Sequence, residues 1–134
     1  MSDLTVREYA KTDWPMLDRW WREHTSKTVL IESVLPPVGV VVEQDGEPVA
    51  ALWVYLSVGV GIAFIENPVT KPGLTFVEAS EVMGCAMRAI EAICKTHDYG
   101  MLRINAPDRI ARWLQRNCGF NPVGDRVQLV KFLT

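Results

Sequence analysis

Three cysteines, two histidines and no Cys-x-x-Cys pair leave this sequence short of the ligands for a metal centre and of the pairs for a disulfide scaffold. Cys85 and Cys94 lie nine residues apart on an expected helix, hence on opposite faces, and Cys118 is far from both in sequence. His24 and His97 have no second His or Cys beside them. The expectation is three reduced thiols in an intracellular, cytoplasmic protein that holds no metal. Basic charge is also scarce. Against 16 Asp and Glu there are 14 Lys and Arg, a net charge of −2, with no dense basic run. This argues against nucleic acid or an anionic membrane as the main partner. The apolar stretch 49–65 is broken by glycines and a serine and is short for a bilayer span, so it reads as two strands. The opening Met1-Ser2-Asp3-Leu4-Thr5 has neither the basic nor the apolar region of a signal peptide. Gly59-x-Gly61 lacks the third glycine of a dinucleotide fingerprint, and no Gly-x-x-x-x-Gly-Lys-Ser/Thr, Gly-x-Ser-x-Gly or His-Glu-x-x-His occurs.

What is present is an ordinary globular balance, 49% hydrophobic and 22% charged, over a length that suits one domain, residues 1–134. The chain is organised around residues 62–96. Ile62 to Glu66 reads as a buried strand, Asn67 to Gly73 as a Pro/Gly loop, and the rest as one long helix. Thr75 and Glu78 form a capping box, in which each side chain bonds the other residue's N–H. Ala79, Val82, Met83, Ala86, Ile90 and Ile93 then recur at three- and four-residue steps as one apolar face. A strand that runs into a helix start presents unpaired N–H groups suited to an anion.

Upstream, Leu4 to Glu8 alternates as a strand, and Asp13 reads as the N-cap of a helix with Pro15 in its first turn. Leu17, Trp20, Trp21 and His24 mark that helix; of the adjacent tryptophans one is expected to be buried and the other partly exposed. Residues 28–34 fit a short helix or a strand, ended by Pro36-Pro37. Val38 to Glu43, Val49 to Leu56 and Ile62 to Glu66 make an antiparallel meander, with Asp45-Gly46 as its first hairpin turn. After the long helix, Asp98-Tyr99-Gly100 leads into a short buried strand, Met101 to Ile104, which a strand–helix–strand order makes parallel to its partner. Asn105 or Asp108 starts another helix with Pro107 in its first turn and Ile110, Ala111, Leu114 and Cys118 as its stripe. Gly119 is the expected left-handed residue after it, with Phe120 folding back. Val127 to Phe132 is expected as a last strand, whose exposed edge offers a way to pair two copies.

This order resembles the GNAT superfamily of N-acetyltransferases. The segment that carries the resemblance most specifically is Asp108, Ala111, Leu114, Gln115, Gly119 and Phe120. The family has an Asn, an Ala three on, an apolar residue, an aromatic that is often Tyr, and Gly-Phe four and five residues later. Gly-Phe, Ala and the spacing match; Asp108 and Gln115 depart from it. The family's Gln/Arg-x-x-Gly-x-Gly/Ala loop is replaced by Asn67-Pro68-Val69-Thr70-Lys71-Pro72-Gly73-Leu74-Thr75, with one glycine and two prolines. The resemblance implies an α/β (α+β) domain, a mixed and mostly antiparallel sheet flanked by about four helices. It implies acetyl-CoA, or a related acyl-CoA, as co-substrate and direct acyl transfer to an amine acceptor. The backbone of Phe64 and Ile65, with Lys71, Gly73, Leu74, Thr75 and Asn105, would hold the cofactor, and Glu66 would serve as base. Plain structural roles stand beside these: a solvated strand-end carboxylate for Glu66, helix capping for Asn105, packing for Tyr99 and Cys118. With Gln115 in the usual Tyr place, the alternative is a non-catalytic module of the same fold that binds a protein partner.

Overall fold

A computed structural model describes residues 3–24, 29–124, 129 and 131–133. The chain forms two compact units, Met1–Ile104 and Asn105–Thr134. In the first, β1 (Leu4–Glu8), α1 (Trp14–His24), β2 (Val38–Gln44), β3 (Glu47–Leu56), β4 (Ile62–Thr70), α2 (Phe76–Thr96) and β5 (Met101–Arg103) follow in order. The strands make one sheet in the order β1-β2-β3-β4-β5. All neighbours are antiparallel except β4 and β5, which run parallel as the helical crossover requires. Asp45 and Gly46 close the β2–β3 hairpin with φ of 51° and 86°, the left-handed pair that a tight hairpin with twisted strands demands.

The central strands are buried on both faces. Val40, Val41 and Val42 of β2 and Val49 to Val54 of β3 read as continuous apolar runs because neither face meets water. On one face Val41, Ala51, Trp53 and Val69 pack with Leu17 and Trp20 of α1. Trp20 is buried and Trp21 half-buried at the edge of that cluster, as the adjacent pair required. Gly39 opposite Trp53 is a matter of space: a Cβ there would stand 2.4 Å from Trp53 Cδ1. By alternation Leu52, Val54, Ala63 and Ile65 lie on the other face. α2 buries Val82, Ala86, Met87, Ile90 and Cys94. Ala79, Met83 and Ile93 are only half-buried, so the buried stripe is rotated toward Met87 and Cys94.

Several expectations are corrected. Asp13 is no N-cap. It ends a 3-10 turn, Lys11–Asp13, that runs straight into α1, and its carboxylate turns back to the Ala10 N–H. Residues 32–34 form a 3-10 turn, neither helix nor strand of the expected length. β4 does not end at Glu66 but continues to Thr70. β5 is not buried: Met101 and Arg103 are exposed and Leu102 half-buried, because among the described residues β5 has a strand on one side only. Three α-helices and two 3-10 turns are described where about four helices were expected.

The second unit contains α3 (Asp108–Asn117). Pro107 occupies the N-cap position, one residue before its expected place, and Asp108 opens the helix. Leu114 is buried, whereas Ile110, Ala111 and Cys118 are not fully covered. Gly119 takes φ 73°, and the Phe120 N–H reaches the Leu114 carbonyl, so the helix ends as its Gly-Phe pair dictates. Of the expected strand 127–132, residues 127, 128 and 130 lie outside the described residues, and 129, 131 and 132 are in no strand.

Candidate active site

The site is built on β4 and the helix it feeds. Along β3 the partners are Ala51↔Val69 and Trp53↔Glu66. One residue of β3 therefore faces two of β4, Asn67 and Pro68, which is a β-bulge. Asn67 sits at φ 52°, a conformation asparagine tolerates, and Pro68 needs no ladder partner for a nitrogen without hydrogen. On the other side of β4 the parallel ladder with β5 stops at Phe64↔Arg103. Beyond it, Ile65 and Glu66 have no strand beside them on that side among the described residues. The Arg103 guanidinium covers the Phe64 ring 5.9 Å from its centroid where the ladder ends.

Glu66 lies opposite Trp53, on the face that α1 covers. Its side chain still meets solvent, yet partial desolvation raises its carboxyl above the ordinary carboxylate range. Trp53 and Tyr9 meet edge to face at 5.2 Å. The Tyr9 hydroxyl and the indole N–H groups of Trp21 and Trp53 are buried with no partner among the described residues.

From Thr70 the chain enters a tight turn, Lys71-Pro72-Gly73-Leu74. Pro72 precedes Gly73 at φ 89°, the arrangement of a type II turn. The Lys71 N–H remains in the sheet and donates to the Val49 carbonyl, while its ammonium stands 3.9 Å from Glu47. The capping box forms as read: Thr75 N–H donates to Glu78 Oε1 at 2.9 Å and Glu78 N–H to Thr75 Oγ1 at 3.1 Å. These bonds hold the Glu78 carboxyl below its ordinary range. Two amides at the helix start are thus satisfied by the protein itself. The Leu74 N–H closes the turn toward the Lys71 carbonyl, whereas the N–H groups of Gly73, Phe76 and Val77 have no acceptor among the described residues. Open space surrounds Gly73, and Phe76 and Val77 are exposed. A turn followed by a helix start, with three free donors, can receive an extended anion such as a pyrophosphate.

No protein-family model matches the sequence, and no curated protein matches it. Solved structures do. An acetyltransferase of Trypanosoma brucei aligns with a TM-score of 0.70 at 14% identity, over 96% of this chain and 100% of that one. An aminoglycoside N-acetyltransferase in complex with CoA aligns at 0.65 and 14%, over 98% and 96%. A transcriptional regulator from Bacillus halodurans aligns at 0.68 and 16%, over 96% and 100%. The chain has the GNAT fold.

Within this GNAT fold the first unit brings together Phe64, Ile65 and Glu66 on one strand and Lys71, Gly73, Leu74 and Thr75 on the turn that follows it. Asn105 precedes α3 in the second unit. Gln115 is exposed there. Tyr99 spends its hydroxyl on the Ser57 carbonyl, which ties the β3–β4 turn to the end of α2. The donors overlooked in the sequence are the Phe76 and Val77 amides. The capping box itself announces them, because it satisfies Thr75 and Glu78 and leaves the two residues between. Among the described residues there is no group of His, Cys, Asp and Glu fit for a metal ion, and no helix long and apolar enough to cross a membrane.

Proposed function

We propose that residues 1–134 act as one GNAT-type domain that transfers an acyl group from an acyl-CoA, acetyl-CoA in the simplest case, to an amine. The observation that carries this reading is the set of three unpartnered amides at Gly73, Phe76 and Val77, set where β4 runs into α2. They supply the donors that the glycine-poor loop lacks by sequence, and Lys71 adds one positive charge. Thr75 shapes this start as its cap; its own amide is already engaged. The backbone of Phe64 and Ile65, where the β4–β5 ladder ends, offers hydrogen bonds to the pantetheine arm and thioester oxygen.

Transfer is direct. The amine must be neutral to attack, and Glu66, with its raised pKa, takes the ammonium proton directly or through a water. The nitrogen lone pair forms the new bond to the thioester carbon. Collapse of the tetrahedral adduct breaks the carbon–sulfur bond and releases the CoA thiolate, and the second proton shed by the acylated nitrogen passes to solvent and so to the thiolate. With Gln115 where a Tyr is usual and the Tyr99 hydroxyl engaged, the thiolate leaves without a side-chain acid; a thiol pKa near ~8.5 makes that tolerable.

A second reading is favoured by one observation, the Glu78 carboxylate fixed in the first turn of α2, where it opposes a bound pyrophosphate. On that reading the chain is a non-catalytic module that binds a protein partner. Calorimetric titration with acetyl-CoA separates the two. Saturable binding is expected; no heat and no thermal stabilisation at millimolar ligand would leave the binding module.

A further inference from the structure

α1 ends on His24, whose imidazole Nε2 lies 2.6 Å from the carbonyl oxygen of Thr70, 46 residues away in sequence. A carbonyl only accepts, so Nε2 carries the proton in this contact. Thr70 is the last residue of β4, and the turn with the unpaired amides begins at the next residue. One residue earlier, Val69 is buried among Leu17 and Trp20 of α1 and Trp53 of β3. The bulge at Asn67 and Pro68 interrupts the regular ladder just upstream. Beyond the bulge the direction in which β4 delivers the turn is set by the pairs Ala50↔Thr70 and Ala51↔Val69, by Val69 under α1, by the Lys71 N–H on Val49, and by His24 on Thr70.

We propose that His24 is a positioning residue for the acyl-CoA site. By holding the Thr70 carbonyl it fixes where the turn leaves the sheet, and so where the amides of Gly73, Phe76 and Val77 point. The inference rests on the reading of that turn as the acyl-CoA site. His24 is exposed. Its loss should therefore move ligand affinity more than stability, the opposite of what a purely structural contact does.

The test is calorimetric titration of acetyl-CoA into the wild type, His24→Ala and His24→Gln, with urea unfolding of each. His24→Ala is expected to weaken Kd by about 3- to 10-fold, the size of one hydrogen bond. His24→Gln, which keeps a donor, is expected to restore most of it, and the unfolding midpoints should nearly coincide. In turnover the acyl-CoA KM rises while kcat changes little. If His24→Ala does not fold, His24→Glu replaces it, because a carboxylate cannot donate to Thr70 and must weaken binding where Gln does not. Equal Kd in wild type and the Ala or Glu variant overturns the role of His24, as does equal weakening by His24→Gln. Absence of binding by the wild type itself overturns the acyl-CoA reading on which the role rests.

Discussion

Arg7 grips Asp13 with two parallel hydrogen bonds, 2.9 Å from Nη1 to Oδ2 and 2.8 Å from Nη2 to Oδ1. The same carboxylate accepts from the Ala10 N–H at 2.9 Å, and Arg7 Nε lies 3.2 Å from Glu43 on β2. One guanidinium thus joins β1, β2 and the turn that launches α1.

The Arg7 bond holds the Asp13 carboxyl below the usual carboxylate range. With the folded pKa depressed, the stabilisation is present above the unfolded pKa near ~3.9 and is lost as pH falls through the lower folded value. Asp13→Asn should cost about 2 kcal/mol at neutral pH, since it replaces a charge-assisted bidentate pair in a nearly buried place. Urea unfolding should show the gap between variant and wild type closing as pH falls from about 5 to about 2.

Glu66 titrates the other way, because desolvation raises its carboxyl. Its carboxylate form, the one a base requires, appears only as pH climbs above the ordinary Glu value. The acid limb of kcat against pH should therefore lie above ~4.3, displaced toward neutrality. Glu66→Gln should remove that limb and lower kcat by about 100-fold or more, with acetyl-CoA affinity nearly intact. The same variant should be slightly more stable than wild type at high pH, where the carboxylate is disfavoured. Equal turnover would remove Glu66 as base.

Glu78 faces two duties. Its carboxylate caps Thr75 but stands as a negative charge where a pyrophosphate would lie. Glu78→Gln keeps an acceptor for the Thr75 N–H and sheds the charge. Acetyl-CoA should bind about two- to fivefold tighter at low salt, with the gain fading as ionic strength rises. Thr75→Ala, by contrast, should cost about 1 kcal/mol of stability in urea unfolding.

Gly39→Ala tests how closely Trp53 lies against β2. The new methyl would meet the indole at 2.4 to 2.7 Å, closer than atoms tolerate. Either the central tryptophan or the strand must move, at a cost of about 1–3 kcal/mol or more. Near-ultraviolet circular dichroism and the unfolding midpoint should both change.

Tyr9→Phe should do little harm. The hydroxyl is buried without a partner, and burial pushes its pKa up. Removal of an unpaired polar group at constant shape is neutral or stabilising. A midpoint in urea equal to or above wild type is expected; a loss of more than about 1 kcal/mol would mean that the hydroxyl has a partner in solution.

Much of the fold could be read from local chemistry. Asp45-Gly46, the Thr75/Glu78 box and Gly119 each name their own backbone geometry, and the structure places all three as read. The meander and the parallel β4–β5 pair followed from the order of elements. The failures share a cause. Asp13 has the composition of an N-cap, but an arginine six residues earlier claims its carboxylate. Asn67-Pro68 has the composition of a loop, yet β3 pairs on both sides of it and carries the strand through. Neither partner can be identified from the residues that mislead. The site was legible as a helix start that follows a strand. Its donors were less so, because the capping bonds decide which amides stay free.

The extra residue in β4 is a matter of parity. Glu66 and Val69 stand three apart, yet both project toward α1, since Asn67 and Pro68 together count as one step. A chain shortened by one residue there would keep every flanking side chain on its own side and draw the two strands into an unbroken zipper. Packing alone gives no reason for the additional position. What it supplies is a crease in the sheet beside Glu66, so a single deletion should separate folding, which survives, from catalysis, which does not.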